Sequence, residues 1–117
     1  MFYNTVREFS DIVTSYSVSE YRRYGLAMSF VAKVEFIDGS VLFIKDYLFR
    51  DGKRKYSYHW QDKSGFLLSR WDNAPHHKDI LSYPHHRHVD DAEVMATTER
   101  NLPDIFSVIR KTVGKEV

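Results

Sequence analysis

The stretch "MSFVAKVEFIDGSVLFIKDYLFRDGKRKYSYHW", Met28 to Trp60, decides the fold. Its first ten residues alternate. Met28, Phe30, Ala32, Val34 and Phe36 fall on one side of an extended chain, with Ser29, Lys33 and Glu35 on the other, and a period of two is the mark of a half-buried strand. Asp38-Gly39 follows, a dipeptide that suits a two-residue hairpin turn because both central positions need positive φ. Asp51-Gly52 repeats the signal after Val41 to Phe49, and Lys55 to Gln61 alternates again. Three strands joined by two tight turns make an antiparallel meander.

Working outward, Tyr16 to Tyr24 reads as a strand that enters the meander through a turn at Tyr24-Gly25. The first ten residues fit either a short helix or an edge strand. Beyond Gln61, "DKSG" at Asp62 to Gly65 reads as a four-residue loop, and Phe66 to Asp72 as a fifth strand. Periodicity is lost from Asn73 to Asn101, where Pro75 and Pro84 oppose regular helix and only a turn of helix is expected between Asp90 and Arg100. Pro103 then suits a helix start. Leu102, Ile105, Phe106, Ile109 and Val113 recur at helical spacing, and Lys111 and Lys115 complement the negative end of that helix. The expected fold is α+β: a five-stranded antiparallel meander, the C-terminal helix packed on one face, and a long histidine-rich loop.

If both turns have two residues, Val34 opposes Phe43, Lys33 opposes Ile44, Tyr47 opposes Tyr56 and Asp46 opposes Ser57. A four-residue third loop sets Ser57 against Arg70 and His59 against Leu68. One face then holds Phe30, Val34, Phe36, Val41, Phe43, Tyr47, Phe49, Tyr56, Tyr58, Trp60, Leu67 and Trp71, which is the expected core. The other mixes Val31, Ile44 and Leu68 with Lys33, Asp46, Ser57, His59, Arg70 and Asp72. Lys33, Asp46, Ser57 and Arg70 form either a substrate-binding patch or a solvated face with an Asp46–Arg70 ion pair.

The totals exclude several classes. At 117 residues, 43% hydrophobic and 28% charged, the chain fits one globular domain spanning 1–117. A net charge of +1 announces no nucleic-acid binder in bulk, so any basic surface must be local. Arg22-Arg23 and the Arg50 to Lys55 segment are such clusters. There is no cysteine, which removes disulfides and thiolate metal sites. No apolar run approaches the roughly 20 residues of a membrane span, and the first ten residues lack an apolar signal core. A cytoplasmic protein is expected.

"RWDNAPHHKDILSYPHHRHVDD", Arg70 to Asp91, holds five of the six histidines. Each His-His pair directly follows a proline, which restricts the backbone and lowers the entropy cost of holding a ring in place. Imidazole exchanges protons near neutral pH. Two such rings and Arg70 are therefore sufficient to cleave a phosphodiester without metal, one ring as base, one as acid, the guanidinium on the phosphoryl oxygens. The alternative is a divalent transition metal held by His77, His86 and His88, with Asp72, Asp79, Asp90 or Asp91 as a carboxylate ligand. Against both stands a polar loop whose histidines bond only backbone.

The motifs "YSYHWQ" (Tyr56–Gln61), "RWDNAPHH" (Arg70–His77) and "PHHRHV" (Pro84–Val89) resemble the TumE-like toxins of bacterial and archaeal toxin–antitoxin modules. All six histidines lie within them, and the resemblance covers most of the chain. It implies a small cytoplasmic toxin silenced by a cognate antitoxin protein. By position it carries over His59, Arg70, Asp72, Asn73, His76, His77, His85, His86 and His88. The expectation is an endoribonuclease acting on cellular RNA with no cofactor. His59, His77 and His86 would exchange protons, Arg70 would bind phosphate, Asp72 would orient an imidazole, and Lys33, Asp46, Ser57 and Asn73 would contact substrate. The competing class is a non-enzymatic module that binds a partner protein. An open edge strand would also accept a second copy in a homodimer.

Overall fold

A computed structural model describes residues 1–90 and 93–114. Asp91 and Lys115 lie outside the described residues. Helix α1 (Phe2–Glu8) precedes seven strands: β1 (Val13–Tyr24), β2 (Ala27–Phe36), β3 (Val41–Leu48), β4 (Arg54–Gln61), β5 (Leu67–Asp72), β6 (His86–Val89) and β7 (Glu93–Met95). Helix α2 (Leu102–Val113) follows. The strands form one open antiparallel sheet in chain order, with β1 and β7 at its edges.

The expected sheet of five strands is thus corrected to seven. The added strands come from the segment read as an irregular loop. β6 pairs antiparallel with β5, Arg70 opposite His88 and Asp72 opposite His86, and β7 pairs with β6. Both are short, and β6, His-Arg-His-Val, has one β-branched residue in four, so local propensity gave little warning. What holds β6 is the ladder offered by β5, a tertiary cause. The turn of helix expected between Asp90 and Arg100 is replaced over its described part by β7 and extended chain.

The loop lengths are the second correction. After β2 the chain turns on Ile37-Asp38-Gly39, with Phe36 N–H donating to Ser40 O at 2.9 Å and Gly39 N–H to Phe36 O at 3.0 Å. Arg50-Asp51-Gly52 and Lys63-Ser64-Gly65 close in the same way. Each is a three-residue loop whose last residue is a glycine at positive φ, 85°, 85° and 91°, the type I turn plus bulge that ranks behind the two-residue turn in frequency. The Asp38 and Asp51 carboxylates bind the backbone N–H two residues on, an Asx turn that favours this form.

One extra loop residue slips the register by one, and that turns a strand over. Val34 opposes Leu42 and Lys33 opposes Phe43; Asp46 opposes Tyr56 and Tyr47 opposes Lys55. The two slips cancel at β4, so only β3 is inverted. Leu42 and Ile44 are buried in the core, whereas Phe43 is 37% exposed. Val41, Phe43 and Tyr47 lie on the far side from the core, and Phe49 is exposed. The third hairpin differs by two, with His59 opposite Arg70 and Ser57 opposite Asp72. An even slip keeps Arg70, Trp71 and Asp72 on their expected faces, whereas Leu67, expected in the core, opposes Gln61 of the open face. Leu68, at the irregularity that absorbs this slip, packs against the core.

Both helices cover the core face. Phe2 and Val6 of α1, with Phe9 and Ile12 after it, join Leu102, Ile105, Phe106, Ile109 and Val113 of α2 over Val34, Phe36, Tyr58 and Trp60. Asn101 caps α2 by accepting from Asp104 N–H at 3.1 Å. Burying the five apolar side chains of α2 contributes on the order of 10 kcal/mol before chain entropy is subtracted. Arg110 ties α2 to the end of α1, over the Phe9 ring at 4.1 Å and on Asp11 at 2.6 Å.

Gly39 and Gly52 test the loop assignment. Each Gly→Ala variant should lose about 1–2 kcal/mol in urea denaturation, the cost of a side chain in the left-handed region. Gly39→Ala should lose more, because its Cβ would stand 3.0 Å from Lys63 Cβ while Gly52 has open space. Equal stability of both variants with the parent would contradict the positive φ at these glycines.

Candidate active site

The inverted β3 leaves the open face with one continuous row. Lys33, Phe43, His59, Arg70 and His88 are successive partners across β2 to β6. The neighbouring row ends in Ser57, Asp72 and His86. His86 and His88 are two apart on an extended strand, so both face this side, while Arg87 between them faces the core and sits over Trp71 at 4.9 Å. The segment after β5 brings His77 over the end of these rows. Ring centroids are 4.8 Å apart for His77–His86, 4.8 Å for His86–His88 and 5.8 Å for His77–His88.

Asp72 organises the group. Its side chain is 8% exposed. It accepts from Arg70 Nε at 3.2 Å, from His86 Nε2 at 2.9 Å and from the Ala74 N–H at 3.0 Å, and His88 Nε2 stands 3.7 Å away. His86, with a side chain 3% exposed, also places Nδ1 3.1 Å from Pro84 O. Both ring nitrogens of His86 thus face acceptors, and the ring is held in place at both ends. His88 is different. Its side chain is 29% exposed, and burial, with His86, His77 and Arg70 nearby, lowers its pKa from the ordinary imidazole value while Asp72 works the other way. It presents a neutral ring beside an exposed guanidinium.

Over residues 3–113 the chain matches the family described as Toxin TumE. It belongs to the TumE toxin family. No curated protein and no solved structure matches it.

Of the residues singled out in the sequence of this TumE-family chain, Arg70, Asp72, His77, His86 and His88 come together. His59 and Ser57 lie beside them on the open face, His59 at 6.2 Å from the Phe43 ring. Lys33 ends the same row. His76 is exposed and outside the three-ring cluster. His85 stacks against Tyr56 and places Nδ1 2.7 Å from its hydroxyl; burial and the Arg100 and Arg54 charges lower its pKa. Asn73 bridges backbone, accepting from Tyr56 N–H and donating to Arg54 O. Asp46 is on the core side. It pairs with Arg54 at 2.9 Å rather than with Arg70, and Tyr58 joins that pair. Burial pushes the Tyr56 hydroxyl up to about 12 and raises Tyr58 too. Phe43, Lys45 and Tyr47 were missed as open-face residues. No local signal marked them, since Asp-Gly serves two-residue and three-residue loops alike.

His77, His86 and His88 place potential ligand atoms within 4.8 Å of one another. Bonds of about 2.0–2.1 Å to a tetrahedral ion require those atoms at about 3.3 Å. His86 would also have to release Asp72 or Pro84.

Because His88 resists protonation in the fold, the unfolded chain takes up a proton at higher pH than the native one. Its contribution to stability is fully present above about pH 6.5 and is lost as pH falls through the lowered native value. An NMR titration of the His88 ring should show a midpoint below 6.5, and Asp72→Asn should move it further down. A midpoint at or above the ordinary value would contradict this geometry.

Proposed function

We propose that this TumE-family protein is a toxin that cleaves RNA by metal-independent acid–base chemistry, and that an antitoxin protein encoded beside it silences it. The observation that carries this reading is the pairing of one locked and two partly exposed imidazoles with Arg70 around Asp72 at the end of an open sheet face. His88 takes the proton from a ribose 2′-hydroxyl, whose oxygen attacks the adjacent phosphorus. The 5′-oxygen leaves with a proton from His77. Arg70 meets the charge that grows on the phosphoryl oxygens. His86 is a positioning residue: its contacts with Asp72 and Pro84 fix the carboxylate that orients Arg70 and His88. His59, next to Arg70 in the row, is within the reach of the same substrate.

A second reading rests on the three clustered rings, which would take a divalent transition metal after a small closure. Dialysis against a chelator separates the two. Cleavage that survives it belongs to the first reading, and cleavage restored only by added metal belongs to the second.

For the purified chain acting on RNA, His88→Ala should lower the cleavage rate about 10²–10⁴-fold. Arg70→Ala should lower it by about 10²-fold or more, and His76→Ala should retain most of it. Products should end in 2′,3′-cyclic phosphate, and a 2′-deoxy substrate should resist. Cleavage undiminished in the His88 and Arg70 variants, with the fold intact, would remove acid–base catalysis by this cluster.

A further inference from the structure

We propose that the open sheet face is the track for single-stranded RNA, with Phe43 as a base-stacking platform and Lys33, Lys45 and Lys55 as phosphate contacts leading to Arg70. The inference deepens the catalytic reading above and rests on it for the identity of the nucleic acid. Four interstrand steps of about 4.8 Å separate Lys33 from His88, so the row extends roughly 19 Å across the sheet. A shallow groove of about 520 Å³ lies along the middle of this row, from Phe43 to Arg70, and is also lined by Lys45, Tyr47, Lys55 and Ser57.

Three observations select the occupant. First, Phe43 is exposed in mid-strand, flanked by Lys33 Nζ at 6.0 Å from its ring and by His59 at 6.2 Å. A large apolar ring on a polar face has no folding rationale, since the core lies on the other side. Second, the face is cationic although the chain as a whole carries only +1. Its carboxylates are engaged: Glu35 with Lys33 at 3.4 Å, Asp72 with Arg70 and His86. Third, cations interleaved with an exposed ring suit a chain that offers both phosphates and unpaired bases. A duplex conceals its base faces and would leave Phe43 uncovered, and an acidic peptide would have no use for a stacking ring.

The test uses the intact protein and a fluorescent oligonucleotide built wholly of 2′-O-methyl ribonucleotides, which lacks the attacking hydroxyl. Binding is then read independently of cleavage. Single strands should bind, and the matching duplex should bind at least tenfold more weakly. Phe43→Ala should weaken single-strand binding roughly tenfold or more. Lys45→Ala and Lys55→Ala should each reduce the salt dependence by about 0.7 in log–log slope. Tyr24→Ala, an exposed ring at the β1–β2 turn, should change nothing. All four side chains are exposed, and circular dichroism checks that the sheet persists. Equal binding of duplex and single strand, or unchanged affinity in Phe43→Ala, overturns the inference even if cleavage is observed. Binding that follows the expected pattern sustains it even if the His88 and Arg70 variants still cleave.

Discussion

One residue in each hairpin loop governs this molecule. Had the loops after β2 and β3 closed on two residues, Phe43 and Tyr47 would sit in the core and Ile44 would face outward. Because each loop closes on three, with a glycine at positive φ, β3 turns over and the chain sorts its side chains differently. Leucine and isoleucine go under the helices, while lysine and an exposed phenylalanine go to the open side. The row from Lys33 to His88 exists only in this register.

The open face has its own centre in Asp72. A carboxylate buried at the end of β5 can remain only if donors surround it. Arg70, His86 and the Ala74 amide supply them. The consequence runs outward. Satisfying Asp72 fixes β6 against β5, holds His86 between two acceptors, and leaves His88 on the open face opposite Arg70, which lines the groove. The same contacts that stabilise the sheet's last strands hold in place the groups on which the proposed cleavage depends.

The opposite face shows how the polar residues divide. Asp46, Arg54 and Tyr58 form a network on the helix side, with Arg54 over Tyr56 at 4.3 Å and donating to Arg100 O. It ties β3 and β4 to the chain entering α2. Asn73 and His85 likewise serve this region, binding the β4 backbone and the Tyr56 hydroxyl. Histidine-rich sequence thus splits by strand geometry. His86 and His88 go to one face, His85 to the other, and His76 to solvent.

How much of this was legible follows from the range of each cause. Alternation along β2 and β4, glycine-marked turns and the 3.6-residue spacing of Leu102 to Val113 are local, and they fixed the meander, the core faces of those strands and the C-terminal helix. The motifs around the histidines placed the chain in its family and gathered Arg70, Asp72, His77, His86 and His88 as candidates. Loop length was not legible from Asp-Gly alone, because the dipeptide serves two-residue and three-residue hairpins alike, and a slip of one inverts a strand. β6 and β7 were not legible because their strand state is imposed by the free ladder of β5 and by Asp72's need for donors. Sequence by itself determined which residues would be apolar, cationic or titratable and roughly where the chain turns. Only the tertiary structure decided which side of the sheet each one occupies, since that depends on hydrogen-bond register between strands and on the burial of one carboxylate.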